Sequence, residues 1–167
     1  MKRCWLVTLL ALSLAAGAAM AQPSREIVGA WTMVSNTTEK DGKTVDNFGP
    51  DPKGSAFFDE HGRFAFVIVR GDLPRIASNN RAQASDEEAQ AVLKGSIAYF
   101  GSYVVNDTDR QIEMRVEGAT FPNWTGTLVK RQFAFAGDQM RLINASPSTG
   151  AGTGVIVWRR SAAALPR

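Results

Sequence analysis

The chain has 167 residues, 44% hydrophobic and 21% charged, with four tryptophans, nine phenylalanines and one cysteine. That suffices for one folded domain and leaves little for a second, and the composition excludes a disordered chain, a solenoid, collagen and a coiled coil. Nineteen Lys and Arg against 16 Asp and Glu give a formal charge of +3, but Lys2 and Arg3 supply two of those positive charges, and the near-neutral +1 of the remainder is too balanced to mark a nucleic-acid or anionic-membrane binder.

Met1-Lys2-Arg3 is a short positive start, Trp5 to Ala16 an apolar run, and Ala19-Met20-Ala21 a small-x-small site before Gln22. Together these predict a cleaved signal peptide over residues 1–21 and a single domain over 22–167. The rival, a retained anchor, needs ~20 apolar residues, and Gly17 and Gln22-Pro23-Ser24 break this run sooner. Cleavage removes Lys2, Arg3 and Cys4, leaving 17 basic residues against 16 acidic. The mature chain then forms no disulfide and no thiolate metal site, has no membrane span, and carries no cysteine for a lipid anchor. The expected product is exported, either periplasmic or secreted.

In the mature chain, apolar and polar residues alternate with the period of half-buried strands. In Gln111-Ile112-Glu113-Met114-Arg115-Val116-Glu117 the odd and even faces separate cleanly. The same pattern predicts eight strands near 29–39, 54–58, 63–70, 99–106, 111–117, 127–136, 139–144 and 153–160. One helix is expected, with Ser85 as cap, Glu88 completing a capping box, Ala89, Val92, Leu93 and Ile97 on one face, and Gly95 as stop.

The links at 59–62, 107–110 and 137–138 are short and polar, whereas those near 40–53, 71–98, 118–126 and 145–152 are long. Long and short alternate along the chain. In an antiparallel up-and-down meander this gathers every long loop at one mouth and leaves tight turns and both termini at the other end. The expected fold is all-β, an eight-stranded antiparallel up-and-down barrel with one short helix in the 71–98 loop. Its interior either fills with side chains or holds one small ligand.

Several blocks carry a family likeness: Gly29-Ala30-Trp31, Phe48-Gly49-Pro50-Asp51-Pro52-Lys53-Gly54, Asp59-Glu60-His61-Gly62-Arg63, Leu73-Pro74-Arg75, Ala98-Tyr99-Phe100-Gly101-Ser102-Tyr103, and Val116-Glu117-Gly118 followed by Phe121-Pro122-Asn123-Trp124. In this order they resemble the bacterial lipocalin-like domain proteins, over residues 27–160. The resemblance implies a calycin-type barrel, with no single agreed ligand or activity. It also implies a base in which an arginine, Arg159 or alternatively Arg160, lies across Trp31 beside Gly29. Relatives often carry a histidine pair where this chain has Met114-Arg115, so no histidine-based role carries over.

Val129, Arg131, Phe133 and Phe135 share one face of the 127–136 strand, and the apolar three mark that face as inward. A buried guanidinium costs several kcal/mol unless a carboxylate, water or anionic ligand group satisfies it. A bulge turning Arg131 outward, or an interior Asp or Glu pairing with it, are the alternatives. Phe64, Phe66, Tyr99, Tyr103, Met114 and Phe133 are expected inside, as an apolar ligand wall with hydroxyl handles or as core filling. Trp124 falls in a mouth loop, where it gates the entrance or packs over the rim. His61 falls at the closed end, and there is no metal-ligand spacing, no nucleophile-base pair and no cofactor motif. Ser146-x-Ser148-x-Gly150-x-Gly152-x-Gly154 precedes no helix and is a hairpin link rather than a phosphate cradle.

These residues point first to non-enzymatic binding of a small apolar or amphipathic ligand inside the barrel, through Arg131, Phe66, Tyr99, Tyr103, Met114, Trp124 and Phe133. The second possibility is an isomerase, cyclase or hydratase using Tyr99, Tyr103 or an inward carboxylate. The third is an envelope protein-interaction module with a plugged interior.

Overall fold

A computed structural model describes residues 26–145, 147, 148, 150 and 152–162. The expected signal segment, residues 1–21, lies outside the described residues. The strands are β1 (Gly29–Lys40), β2 (Lys43–Asp46), β3 (Lys53–Phe58), β4 (Arg63–Val69), β5 (Ser96–Asn106), β6 (Gln111–Ala119), β7 (Leu128–Ala136), β8 (Gln139–Asn144) and β9 (Thr153–Arg160). All neighbours pair antiparallel, and β1 pairs with β9 to close the sheet. Eight strands, β1 and β3 to β9, make the barrel.

The additional strand, β2, forms a hairpin with the second half of β1. Its turn is Asp41-Gly42, both at positive φ, the two-residue geometry that Asp-Gly favours. The first half of β1 pairs with β3 instead. The link between β1 and β3 is therefore partly structured rather than a plain loop.

Burial follows the predicted alternation on most strands. Phe64, Phe66 and Ile68 of β4, Tyr99 and Tyr103 of β5, Ile112, Met114 and Val116 of β6, and Phe133 of β7 all face inward and are buried. Two bulges interrupt the pattern. On β1 the register with β9 slips between Met33 and Ser35, so the inward set changes from Trp31 and Met33 to Asn36 and Thr38. On β6 the slip opposite Phe100/Gly101 leaves Glu117 as the extra residue, and its carboxylate accepts two hydrogen bonds from the Arg63 guanidinium across the outer surface.

The helix α1 (Asp86–Gly95) has the expected capping box between Ser85 and Glu88. Ile97 belongs to β5, not to the helix, because the chain leaves helical geometry at Ser96. Gly95 is the buried residue of α1, while Leu93 is 65% exposed. The helix therefore borders the mouth without sealing it.

The closed end is built from the short turns. Arg160 lies with its guanidinium carbon 4.2 Å from the Trp31 ring centre and donates to the carbonyls of Val28 and Glu26. The Trp31 indole donates to Ile27 O at 2.9 Å. This corrects the expectation for Arg159, which instead faces solvent opposite Asp138 at 3.5 Å. Parity explains the assignment: Trp158 points inward, so Arg160, two residues on, shares its side of the strand. Arg160→Ala should cost about 2 kcal/mol, combining cation-π and charged hydrogen-bond losses. Arg159→Ala, which removes an exposed pair, should cost less than about 0.5 kcal/mol. Urea denaturation of the two variants checks the contrast, and equal effects would contradict this description of the base.

Candidate functional site

The mouth end gathers the links 41–52, 70–85 and 120–127, and the described residues of the β8–β9 link, around the upper ends of the strands. Just inside lies Arg131 of β7, 2% exposed. Its inward direction follows from β7 parity, with Phe133 below it on the same face. Its terminal nitrogen reaches the Tyr99 hydroxyl oxygen at 3.5 Å, at the limit of a hydrogen bond, and its Nε has no partner. The guanidinium carbon lies 6.0 Å from the Tyr99 ring centre and 5.7 Å from that of Trp124. Two π-faces offset part of the cost of burying this charge, but no carboxylate is paired with it among the described residues. The only other buried polar residues described are Asn36, Thr38 and Asn144.

Around Arg131 is a cavity of about 40 Å³. Its polar lining comprises Arg131, Tyr99, Asn36, Asn47, Asn144 and Ser148, and its apolar lining includes Phe48, Ile68, Ile97, Trp124 and Ile156. Such a volume holds one or two waters or a group of comparable size, not a whole organic ligand. Asn47 donates to Asn36 Oδ1 at 2.8 Å and accepts from Thr38 at 3.0 Å, which pins the β2–β3 link over the opening. Outside it, a half-open recess of about 420 Å³ lies between Leu93 and Lys94 of α1, Phe48, Ile97, Phe121 and Ser148. Asn47, Phe48, Ile97 and Ser148 border both spaces.

Trp124 sits in the short helical turn η2 (Pro122–Trp124), half-buried. It meets Tyr99 edge-on at 5.1 Å and Phe121 at 5.7 Å, while Tyr99 stacks flat on Phe66 at 4.8 Å. A column of aromatic rings thus runs from the core through Tyr99 to the rim. The structure brings Arg131, Tyr99 and Trp124 together at one cavity, with Phe66 as the layer beneath Tyr99. Tyr103, Met114 and Phe133 lie elsewhere in the core. Tyr103 donates to Asp59 O in the closed-end turn at 2.7 Å, and the Arg110 guanidinium covers Phe133 at 4.5 Å. Those three fill the barrel rather than line the cavity, which corrects their expected place among the ligand-binding residues and leaves them as core filling. His61 is exposed in its turn.

Burial pushes the Tyr99 hydroxyl above its ordinary pKa of 10.0, against the opposing charge of Arg131. Burial, then the charge of Asp59, raises Tyr103 as well. Both tyrosines of the chain therefore hold their protons to higher pH in the folded state than in the unfolded one. The stability this provides is complete below the unfolded pKa of about 10 and falls as pH rises beyond it, because the unfolded chain then releases protons that the folded chain retains. Ultraviolet titration should show tyrosinate forming at higher pH in the folded protein than in the urea-unfolded chain. Superposable titrations of the folded and unfolded chains would contradict the burial of Tyr99.

Eight antiparallel strands in up-and-down order, sealed at one end by an arginine on a tryptophan and looped at the other, define a lipocalin-type barrel. Residues 28–161 match the lipocalin-like domain family, and the chain belongs to it. It is 27% identical over 109 residues to the 4'-hydroxy-3'-methoxypropiophenone carrier protein of Aspergillus oryzae, a match covering 60% of this chain and 95% of that one. A lipocalin-like protein from Bacteroides uniformis is similar in structure with a TM-score of 0.44 and 14% identity, covering 81% of this chain and 99% of that one.

Proposed function

We propose that this protein is an exported binder of a small, mostly apolar molecule, held non-covalently at the mouth end of the barrel. The observation that carries this reading is Arg131: a buried guanidinium with an unpartnered Nε, bordering a cavity between aromatic rings. Natural cores leave such donors unsatisfied rarely, and an incoming acceptor removes the deficit. The carrier protein of Aspergillus oryzae is named for an aromatic ketone bearing hydroxyl and methoxy groups. Such a molecule offers a ring for the outer recess beside Phe121 and oxygen acceptors for Arg131 and Tyr99. Export rests on the first 21 residues, whose apolar run and small-residue cleavage site precede Gln22.

Native mass spectrometry of the protein purified from its own host, with a titration of 4'-hydroxy-3'-methoxypropiophenone as the first probe, tests the reading. The expected result is a mature chain beginning at Gln22 that carries a small compound or takes up the probe, with the adduct lost on Arg131→Ala. A mature chain that carries nothing and takes up neither this nor related aromatic compounds would overturn it.

A further inference from the structure

We infer that the molecule bound at this mouth is a monoanion with an apolar, ring-bearing body, its acidic group in the inner cavity on Arg131 and its body in the outer recess; this rests on the binding reading above and narrows it to a chemical class. The size of each space sets the division. The inner cavity, about 40 Å³, admits a carboxylate or phenolate oxygen but no ring, whereas the recess of about 420 Å³ has the dimensions of a small-ligand site. Four residues border both, so the two spaces are neighbours, and a molecule whose body lies in the recess has its acidic end within reach of the inner cavity once those side chains part.

Charge decides what enters the inner space. Among the described residues lining the two spaces, the charged side chains are Arg131 and Lys94, and no carboxylate lines either. Arg131 offers an unused Nε–H, and Tyr99, whose oxygen already accepts from Arg131, keeps its own O–H free to donate. An anion meeting both would gain charge-assisted hydrogen bonds in a site largely shielded from water, where they are stronger than at a surface. A neutral polar group would leave the guanidinium charge uncompensated. The outer space is suited to the remainder: Phe48, Leu93, Ile97 and Phe121 present apolar surface there.

The test is calorimetric titration of the full mature protein with benzoate, phenylacetate, phenylpropionate and phenylbutyrate, each beside its primary amide. The acids should bind roughly tenfold or more tightly than the amides, and Arg131→Met should erase that difference. Phe121→Ala should weaken the longer acids more than benzoate, with unchanged circular dichroism as the check on folding. Equal binding of acids and amides to the unaltered protein would overturn the anionic class while leaving the binding reading intact. If the protein takes up the hydroxylated aromatic ketone at a pH well below the pKa of its phenol, and none of the acids, the inference fails and the broader reading stands. If nothing in either series binds, both fail.

Discussion

Replacing Arg131 by methionine should raise the stability of the barrel by about 1–3 kcal/mol while reducing the uptake of acids to that of their amides. In most buried positions, losing a charged partner is destabilising because the other charge is stranded. Here no carboxylate is paired with Arg131 among the described residues, and its Nε has no hydrogen bond. A methionine of similar length removes the desolvation cost and keeps most of the packing against Tyr99 and Trp124, and such exchanges are commonly neutral to stabilising. The melting temperature should rise by on the order of 5 °C. Arg131→Ala should not share the gain, since it leaves a void where the side-chain stem packed. Function held at a cost in stability is the expected signature of a binding residue. Destabilisation of Arg131→Met by 1 kcal/mol or more, about one decade in the folding constant, would show instead that Arg131 holds the barrel together.

The second large effect concerns Gly101 in β5. A Cβ there would lie 1.9 Å from the carbonyl oxygen of Arg115 and 3.1 Å from the Glu117 nitrogen. Both are backbone atoms of β6 at its bulge, so no rotamer change relieves the clash. Gly101 is buried, and the requirement is for close approach between two strands rather than for an unusual φ. Gly101→Ala must spread β5 from β6 beside the bulge, next to Tyr99 and the Arg63–Glu117 pair. It should cost about 3 kcal/mol or more, whereas Ser102→Ala on the outer side should stay within about 0.5 kcal/mol. Denaturant unfolding distinguishes them, and a Gly101→Ala loss below about 1 kcal/mol would mean that the bulge yields easily.

The barrel was legible because its evidence is repeated. Each strand carries its own alternation, and the order of long and short links places the mouth before any contact is known. Arg131 was legible for the same reason, since Phe133 and Phe135 fix the parity of its strand. What escaped were departures from regularity. Asn36 and Thr38 face inward because of one extra residue near Val34, and a strict period of two carried on from Trp31 and Met33 points Ser35 and Thr37 inward instead. Asp41-Gly42 is a hairpin signal, but the four residues of β2 are all exposed and give no hydrophobic pattern to follow. Ile97 fits the helix periodicity as well as the strand's, and the stop at Gly95 decides between them. Asn144 continues the inward series of Met140 and Leu142, so its place in the cavity lining could have been read from parity. The division of the interior into a filled lower part and a small upper cavity depends on side-chain volumes from all eight strands, which alternation along any one strand does not encode.

The most direct measurement follows the Arg131 Nε–H resonance in the arginine side-chain NMR spectrum, assigned by its loss in Arg131→Met, while phenylpropionate is added. This signal should shift progressively and to saturation, together with the Trp124 indole signal, while the signals of Arg159 and Arg160 at the opposite end stay in place. An Arg131 signal that does not move, while binding is registered elsewhere on the barrel, would contradict the assignment of this cavity as the binding site.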